Sequence, residues 1–118
     1  MSEQTYKGGC HCGAVRYEVD IDLPNVKSCN CSICSKKGTL LAFTPKVKFR
    51  LESGQDNLTD YQFNRKNIHH LFCSTCGVTS FGWGTMPDGT EISAINVRCL
   101  EGVDFEELPI QKVDGRSI

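Results

Sequence analysis

Apolar and polar side chains alternate along residues 14–23, with Val15, Tyr17, Val19, Ile21 and Leu23 on one parity and Arg16, Glu18, Asp20 and Asp22 on the other. A period of two belongs to a strand with one buried face, and Pro24-Asn25 ends it. A short apolar run at 39–44 stops at Pro45, after which Val47, Phe49 and Leu51 alternate with Lys46, Lys48, Arg50 and Glu52. Leu58, Tyr61 and Phe63 mark another strand, with turns expected at 53–57 and 64–67. Strands are also expected at 68–72, 78–83 and 92–100, with a weaker one at 105–113. Pro87-Asp88-Gly89-Thr90 reads as a hairpin turn, Asp-Gly supplying the positive φ such turns need. No window sustains a helical period over three turns, although residues 32–37 have room for one. The pattern predicts an all-β fold: a small domain of short antiparallel strands, spanning residues 1–118, with a loose tail from about residue 114.

Eight cysteines change that picture, because they fall in clusters. No apolar stretch approaches the roughly 20 residues of a membrane helix, and the first residues contain no apolar signal region. The chain is therefore expected to be cytoplasmic and not to associate with a membrane. In a reducing compartment, clustered cysteines point to metal rather than disulfides. The formal charge of −1 offers no basic face for nucleic acid, and thiolates around two divalent ions would make the protein more negative still.

Cys10-His11-Cys12-Gly13 and Cys73-Ser74-Thr75-Cys76-Gly77 are two knuckles in which glycine lets the chain turn its N–H groups onto the sulfurs. Brought together, Cys10, Cys12, Cys73 and Cys76 supply the four thiolates of a structural zinc. Between them, Cys29, Cys31 and Cys34 crowd three thiols into six residues. They are expected to bind a second zinc with one position left open, as zinc sites that do chemistry have. Closure of that site by Cys99, or by a histidine or acid, would make it structural instead. Cys99 shares strand parity with Ile95 and Val97 and also reads as an inert buried thiol. His11 should point away from the metal. His69 and His70 read as packed or surface histidines, with proton carrier as the sharper alternative. Phe81-Gly82-Trp83-Gly84 reads as core, or as a pocket wall. Lys36 and Lys37 could draw in a carboxylate-bearing substrate. A dithiol redox pair at Cys73 and Cys76 would need a helix amino terminus, and strands flank this one.

The motifs Gly9-Cys10-His11-Cys12-Gly13, Cys29-x-Cys31-Ser32-x-Cys34 and Phe72-Cys73-x-x-Cys76-Gly77, in this order, resemble the glutathione-dependent formaldehyde-activating enzymes and centromere protein V. The likeness runs over roughly residues 8–100. Leu58-Thr59-x-Tyr61 and Cys76-Gly77-Val78-x-Ser80-Phe81 are more similar to the centromere protein V branch. Asn30 and Ser35 stand where many relatives carry histidine and arginine. The resemblance implies a β-tent fold, a structural zinc on the outer pairs and a catalytic zinc on the triplet. It also implies a carbon–sulfur lyase acting on a glutathione adduct of a small aldehyde, such as S-hydroxymethylglutathione. The expected partner is thus a small-molecule thiol, with glutathione as co-substrate and two zinc ions as cofactors. The competing expectation is a non-catalytic zinc module that binds another protein.

Overall fold

The computed structural model describes residues 3–23, 26–62 and 68–114. The described chain is mostly β, with strands β1 (Gln4–Gly9), β2 (Arg16–Ile21), β3 (Val26–Cys29), β4 (Leu41–Pro45) and β5 (Phe49–Ser53) in its first half. The second half supplies β6 (Leu58–Tyr61), β7 (Ile68–Cys73), β8 (Phe81–Thr85), β9 (Glu91–Asn96) and β10 (Ile110–Val113). Helix α1 (Cys34–Lys37) is a single turn that follows the cysteine triplet. Among the described residues no helix is long and apolar enough to cross a membrane.

The alternation at 14–23 becomes β2, and its inward face organises the core. Tyr17, Val19 and Ile21 are buried there, with Val15 just ahead of them. β1 and β5 flank β2 in an antiparallel three-stranded sheet, and the other strands form a seven-stranded sheet in the order β10-β3-β4-β9-β8-β7-β6. The core fills the space between the sheets. Tyr17 packs its ring against Phe49 (centroids 5.0 Å apart) and Phe81 (5.6 Å), while its hydroxyl donates to the Ser80 carbonyl at 3.0 Å. Burying a tyrosine costs little when the hydroxyl finds an acceptor in this way.

Several expectations change, each for a physical reason. The strands are not all antiparallel: β10 runs parallel to β3, with Ile110 opposite Val26 and Val113 opposite Cys29. Residues 110–113 are therefore part of the sheet, and Asp114 accepts a hydrogen bond from the Asn30 side chain at 2.9 Å. β1, unmarked in the sequence pattern, forms because Gln4–Gly9 pairs along the whole of β2. Val47 is 88% exposed. After Pro45 a single 3-10 turn (Lys46–Lys48) breaks the parity before β5 begins. β9 stops at Asn96, whose side chain accepts from the Arg98 N–H at 3.2 Å and starts a 3-10 turn (Val97–Cys99). A short polar side chain that bonds nearby backbone competes with the ladder in this way. Residues 78–80 stay outside β8 because Val78 is still closing the cysteine knuckle, its carbonyl accepting from Cys73 N–H at 3.0 Å. The last strand begins only at Ile110, after Pro109, which has no N–H to give a ladder. The expectations for Pro24-Asn25, Phe63, 64–67 and the tail beyond Asp114 lie outside the described residues.

Gly8 sits opposite Tyr17 across β1 and β2. A Cβ there would lie 2.7 Å from the Tyr17 ring carbon and hydroxyl and 3.0 Å from the Cys99 carbonyl oxygen. Tyr17 is wholly buried and cannot yield. Gly8→Ala is expected to cost about 1–3 kcal/mol of stability by overpacking. A urea unfolding midpoint equal to that of the parent would contradict this.

Candidate functional site

Cys10 follows β1 and Cys73 ends β7, so the two knuckles come from different sheets and meet at one end of the molecule. The four sulfurs of Cys10, Cys12, Cys73 and Cys76 all lie within 4.8 Å of one another. Two of these separations, Cys10 to Cys12 and Cys12 to Cys73, are 3.6 Å. A tetrahedral zinc with bonds of about 2.3 Å sets its sulfurs about 3.8 Å apart, so donor type and spacing both fit. Gly13 and Gly77 take φ of +83° and +79°, which is what lets each loop fold back. The Val15 N–H then donates to Cys10 Sγ at 3.3 Å, and the Thr75 and Cys76 N–H groups donate to Cys73 Sγ at 3.4 and 3.5 Å. Asn57, which the sequence presents only as part of a turn, donates from Nδ2 to the same sulfur at 3.3 Å and to Thr75 Oγ1 at 3.0 Å. His11 is exposed and its ring nitrogens take no part in this group.

The electrostatics of the four thiols conflict. Backbone N–H groups of Cys12 and Val78 pull Cys76 down to about 6. Cys12 receives an N–H from Ala14, which lowers it, yet burial and the neighbouring sulfurs of Cys73, Cys10 and Cys76 push it up to about 11. Part of the group is set up for negative charge and the rest is refused it, a conflict that a dication at the centre removes.

Cys29 ends β3, Cys31 follows in the loop and Cys34 opens α1. Their three sulfurs also lie within 4.8 Å of one another, and among the described residues no fourth Cys, His, Asp or Glu joins them. The loop is folded by the Cys31 N–H to Cys29 Sγ bond (3.4 Å) and by the Asn30 N–H to Val113 carbonyl bond (3.1 Å). Burial first, and then Cys31 and Cys29, raise Cys34 to about 12. Cys31 moves the other way: burial opposes ionisation, but N–H and S–H groups donated by Cys34, Cys29 and Ile33 outweigh it.

Cys99 does not belong to the triplet. Its thiol faces the Thr79 carbonyl at 3.8 Å, and it is raised to about 11 by burial and then by the charges of Cys10 and Cys76. It is a neighbour of the four-cysteine group. None of the eight cysteines forms a disulfide.

The triplet opens onto a cavity of about 260 Å³ on one face of the seven-stranded sheet. Register explains its shape. Phe43, Ala94, Gly82 and His70 stand opposite one another on β4, β9, β8 and β7, and all four line the cavity. The two smallest residues occupy the middle of that row, so the floor is hollow between two larger side chains. The next row, Lys27, Leu41 and Asn96, closes the end nearer the cysteines. Lys37 on α1 also lines the cavity and donates to Thr79 Oγ1 at 2.7 Å. Burial lowers its pKa, against the opposing pull of Cys34. Lys36, by contrast, is exposed and borders a separate groove with Ser32, Ile33 and Tyr61.

His69 and Trp83 pair across β7 and β8 and stack, with centroids 4.0 Å apart and planes 14° apart. Asp60 Oδ2 lies 2.6 Å from His69 Nδ1, and since a carboxylate only accepts, Nδ1 carries the proton. The Gln62 amide lies against both ring nitrogens, at 2.8 and 3.3 Å. His70 is lowered by burial and then by Lys37, which favours the neutral imidazole. Phe81 and Trp83 share the core-side face of β8, and Gly82 between them faces the cavity, so the aromatic segment gives rings to one face and a hollow to the other. Lys27, Thr79, Asn96 and Val113 gave no local signal in the sequence, because cross-strand pairing alone brings them here.

The model of a family described as glutathione-dependent formaldehyde-activating enzyme matches residues 5–109. The chain belongs to this family. A crystal structure of a Rhodobacter sphaeroides protein, a Northeast Structural Genomics target, is similar over 89% of this chain and 99% of its own length. The two share 38% sequence identity with a TM-score of 0.74. The family is one of enzymes, and its description names both the thiol and the aldehyde. Membership extends through β10's approach segment, beyond the 8–100 that the motifs mark.

Asn57→Ala removes a side-chain donor from the sulfur of buried Cys73. It is expected to lower stability by about 1–2 kcal/mol and to speed loss of bound metal to a chelator, read by a colorimetric zinc-release assay. Unaltered release kinetics would show that Asn57 only shapes the turn.

Proposed function

We propose that Cys10, Cys12, Cys73 and Cys76 hold a structural zinc ion and that Cys29, Cys31 and Cys34 hold a second, with no fourth protein ligand. On this reading the protein is a carbon–sulfur lyase-like enzyme that makes or breaks the glutathione adduct of a small aldehyde. The observation that carries it is the convergence of three sulfurs, one short of a structural set, on a half-open apolar cavity. A zinc ion bound there would supply Lewis-acid chemistry that favours the ionised form of a thiol.

The chain's own residues have definable parts. Lys27 and Lys37 are the cationic side chains lining the cavity, and none of its described lining residues is acidic. That lining suits glutathione, which carries two carboxylates. In the forward direction the thiol sulfur bonds to the carbonyl carbon, the C=O π bond opens, and the thiol proton ends on the new hydroxyl oxygen. His70, in the cavity row beside Gly82 and held toward the neutral imidazole by burial and Lys37, is the candidate to carry that proton. Apolar walls keep water from competing for the adduct.

Zinc content, melting temperature and adduct turnover, measured together, test this reading. The parent is expected to bind two equivalents of zinc. Cys73→Ser should lose one equivalent with a fall in Tm of more than about 10 °C, because structural zinc contributes folding energy. Cys34→Ser should also lose one equivalent, with a much smaller fall in Tm and no catalysed exchange between glutathione, formaldehyde and adduct by NMR. Lys37→Met should raise KM for glutathione about 10- to 100-fold, the worth of a charge-assisted hydrogen bond. If Cys34→Ser unfolds the protein as severely as Cys73→Ser does, both metals are structural and the protein is a non-catalytic zinc module.

A further inference from the structure

The cavity is much larger and more apolar than a one-carbon aldehyde requires. We infer that the electrophile this site accepts is an aryl aldehyde, whose ring occupies the hollow over Ala94 and Gly82 while the carbonyl carbon faces the cysteine triplet. The inference rests on the reading just proposed and narrows its substrate class.

Formaldehyde has no apolar group to bury, whereas Leu41, Phe43, Ile68 and Val113 present hydrocarbon and aromatic surface around the hollow. A cavity of about 150 Å³ lined by such side chains is enough to hold a benzene ring. This one, at about 260 Å³, has room for a ring and for the reacting carbon and sulfur as well. Glutathione itself does not suit the hollow, because its carboxylates, ammonium and amides would lose water against walls that return no hydrogen bonds. Its charged ends match Lys27 and Lys37 instead. Water in such a hollow is poorly partnered, so an apolar group that displaces it gains affinity. The hollow itself is a property of sequence, because a larger residue than Ala94 would fill the middle of the row Phe43–Ala94–Gly82–His70.

The step is a balanced addition: R–CHO and a thiol give R–CH(OH)–S–R′. The S–H bond breaks, the S–C bond forms, and the proton moves to the former carbonyl oxygen with no change in oxidation state.

Two stable thioethers, S-benzylglutathione and S-methylglutathione, test the hollow without relying on turnover. Each is titrated into the zinc-loaded protein and followed by the fluorescence of Trp83, the single tryptophan of the chain. S-Benzylglutathione is expected to bind about 10- to 100-fold more tightly, the effect of burying one aromatic ring. Ala94→Phe, or Ala94→Leu if the phenylalanine variant does not fold, should erase most of that preference. Phe43→Ala should reduce it. In turnover, benzaldehyde should exceed formaldehyde in kcat/KM by a similar factor. Equal binding of the two thioethers, or a preference that survives at Ala94→Leu, overturns the aryl assignment. If formaldehyde is turned over and favoured, the aryl assignment falls and the proposed function stands. If neither aldehyde is turned over and neither thioether binds, the proposed function falls and takes the assignment with it.

Discussion

Two loops separated by some sixty residues bring four sulfurs to within 4.8 Å of one another, and the rest of the architecture depends on that meeting. One loop leaves the three-stranded sheet and the other leaves the seven-stranded sheet, so the sulfur group fixes how one sheet lies on the other. Its thiols disagree about charge, with Cys76 drawn down to about 6 and Cys12 driven up to about 11. Thiols that cannot all ionise alone, yet are surrounded by N–H donors, form a site whose stability is coupled to a cation. Near it, Gly8 leaves room for the Tyr17 ring and the Cys99 carbonyl, and Tyr17 reaches Ser80. The sulfur group and the aromatic core are therefore parts of one packed unit.

The triplet depends on a different set of contacts. Its loop is tied to β10 through Asn30 and then turned by α1, so the end of the described chain holds its middle. The triplet loop forms one wall of the cavity beside it, but the floor comes from neither loop. It is the product of four strands in register, with alanine and glycine where larger residues would make a flat sheet face. Gly82 has a second reason to lack a side chain, since a Cβ there would meet the His69 carbonyl oxygen at 2.7 Å. Chemistry and shape thus have separate origins here. The thiols of the triplet are local in sequence, whereas the substrate-sized space is distributed over residues 27 to 113.

That separation also explains what could be read from the sequence. The two sulfur groups were legible because their members lie two or three residues apart within each loop, and short loops hold ligands by local geometry alone. β2 was legible because its parity survives unbroken over eight residues or so. The parity at Val47 misled, because Pro45 and one 3-10 turn rotated the chain before β5. Lys27, Asn96 and Val113 could not be placed, since nothing local distinguishes them from other surface or core positions. The parallel pairing of β10 with β3 was invisible for the same reason. Lys36 and Lys37 are adjacent in sequence, but only Lys37 reaches the cavity, because one helical turn sends neighbouring side chains in different directions.

The eighth thiol, Cys99, stays out of the triplet by strand parity and by the turn that Asn96 starts, since Ile95 and Val97 are buried in the core whereas Ala94 and Asn96 line the cavity. Had β9 run on to Leu100, Cys99 would have kept the parity of Ile95 and Val97. Instead the Asn96 side chain accepts from the Arg98 N–H and from the Leu40 N–H, and donates to the Thr79 carbonyl at 2.8 Å. The strand ends there, and the following 3-10 turn leaves Cys99 within the influence of Cys10 and Cys76. One buried amide thus ends the strand and sets where Cys99 lies, near the four-cysteine group and outside the triplet. The same amide lines the cavity, so the residue that ends β9 also helps to build the space in front of the triplet.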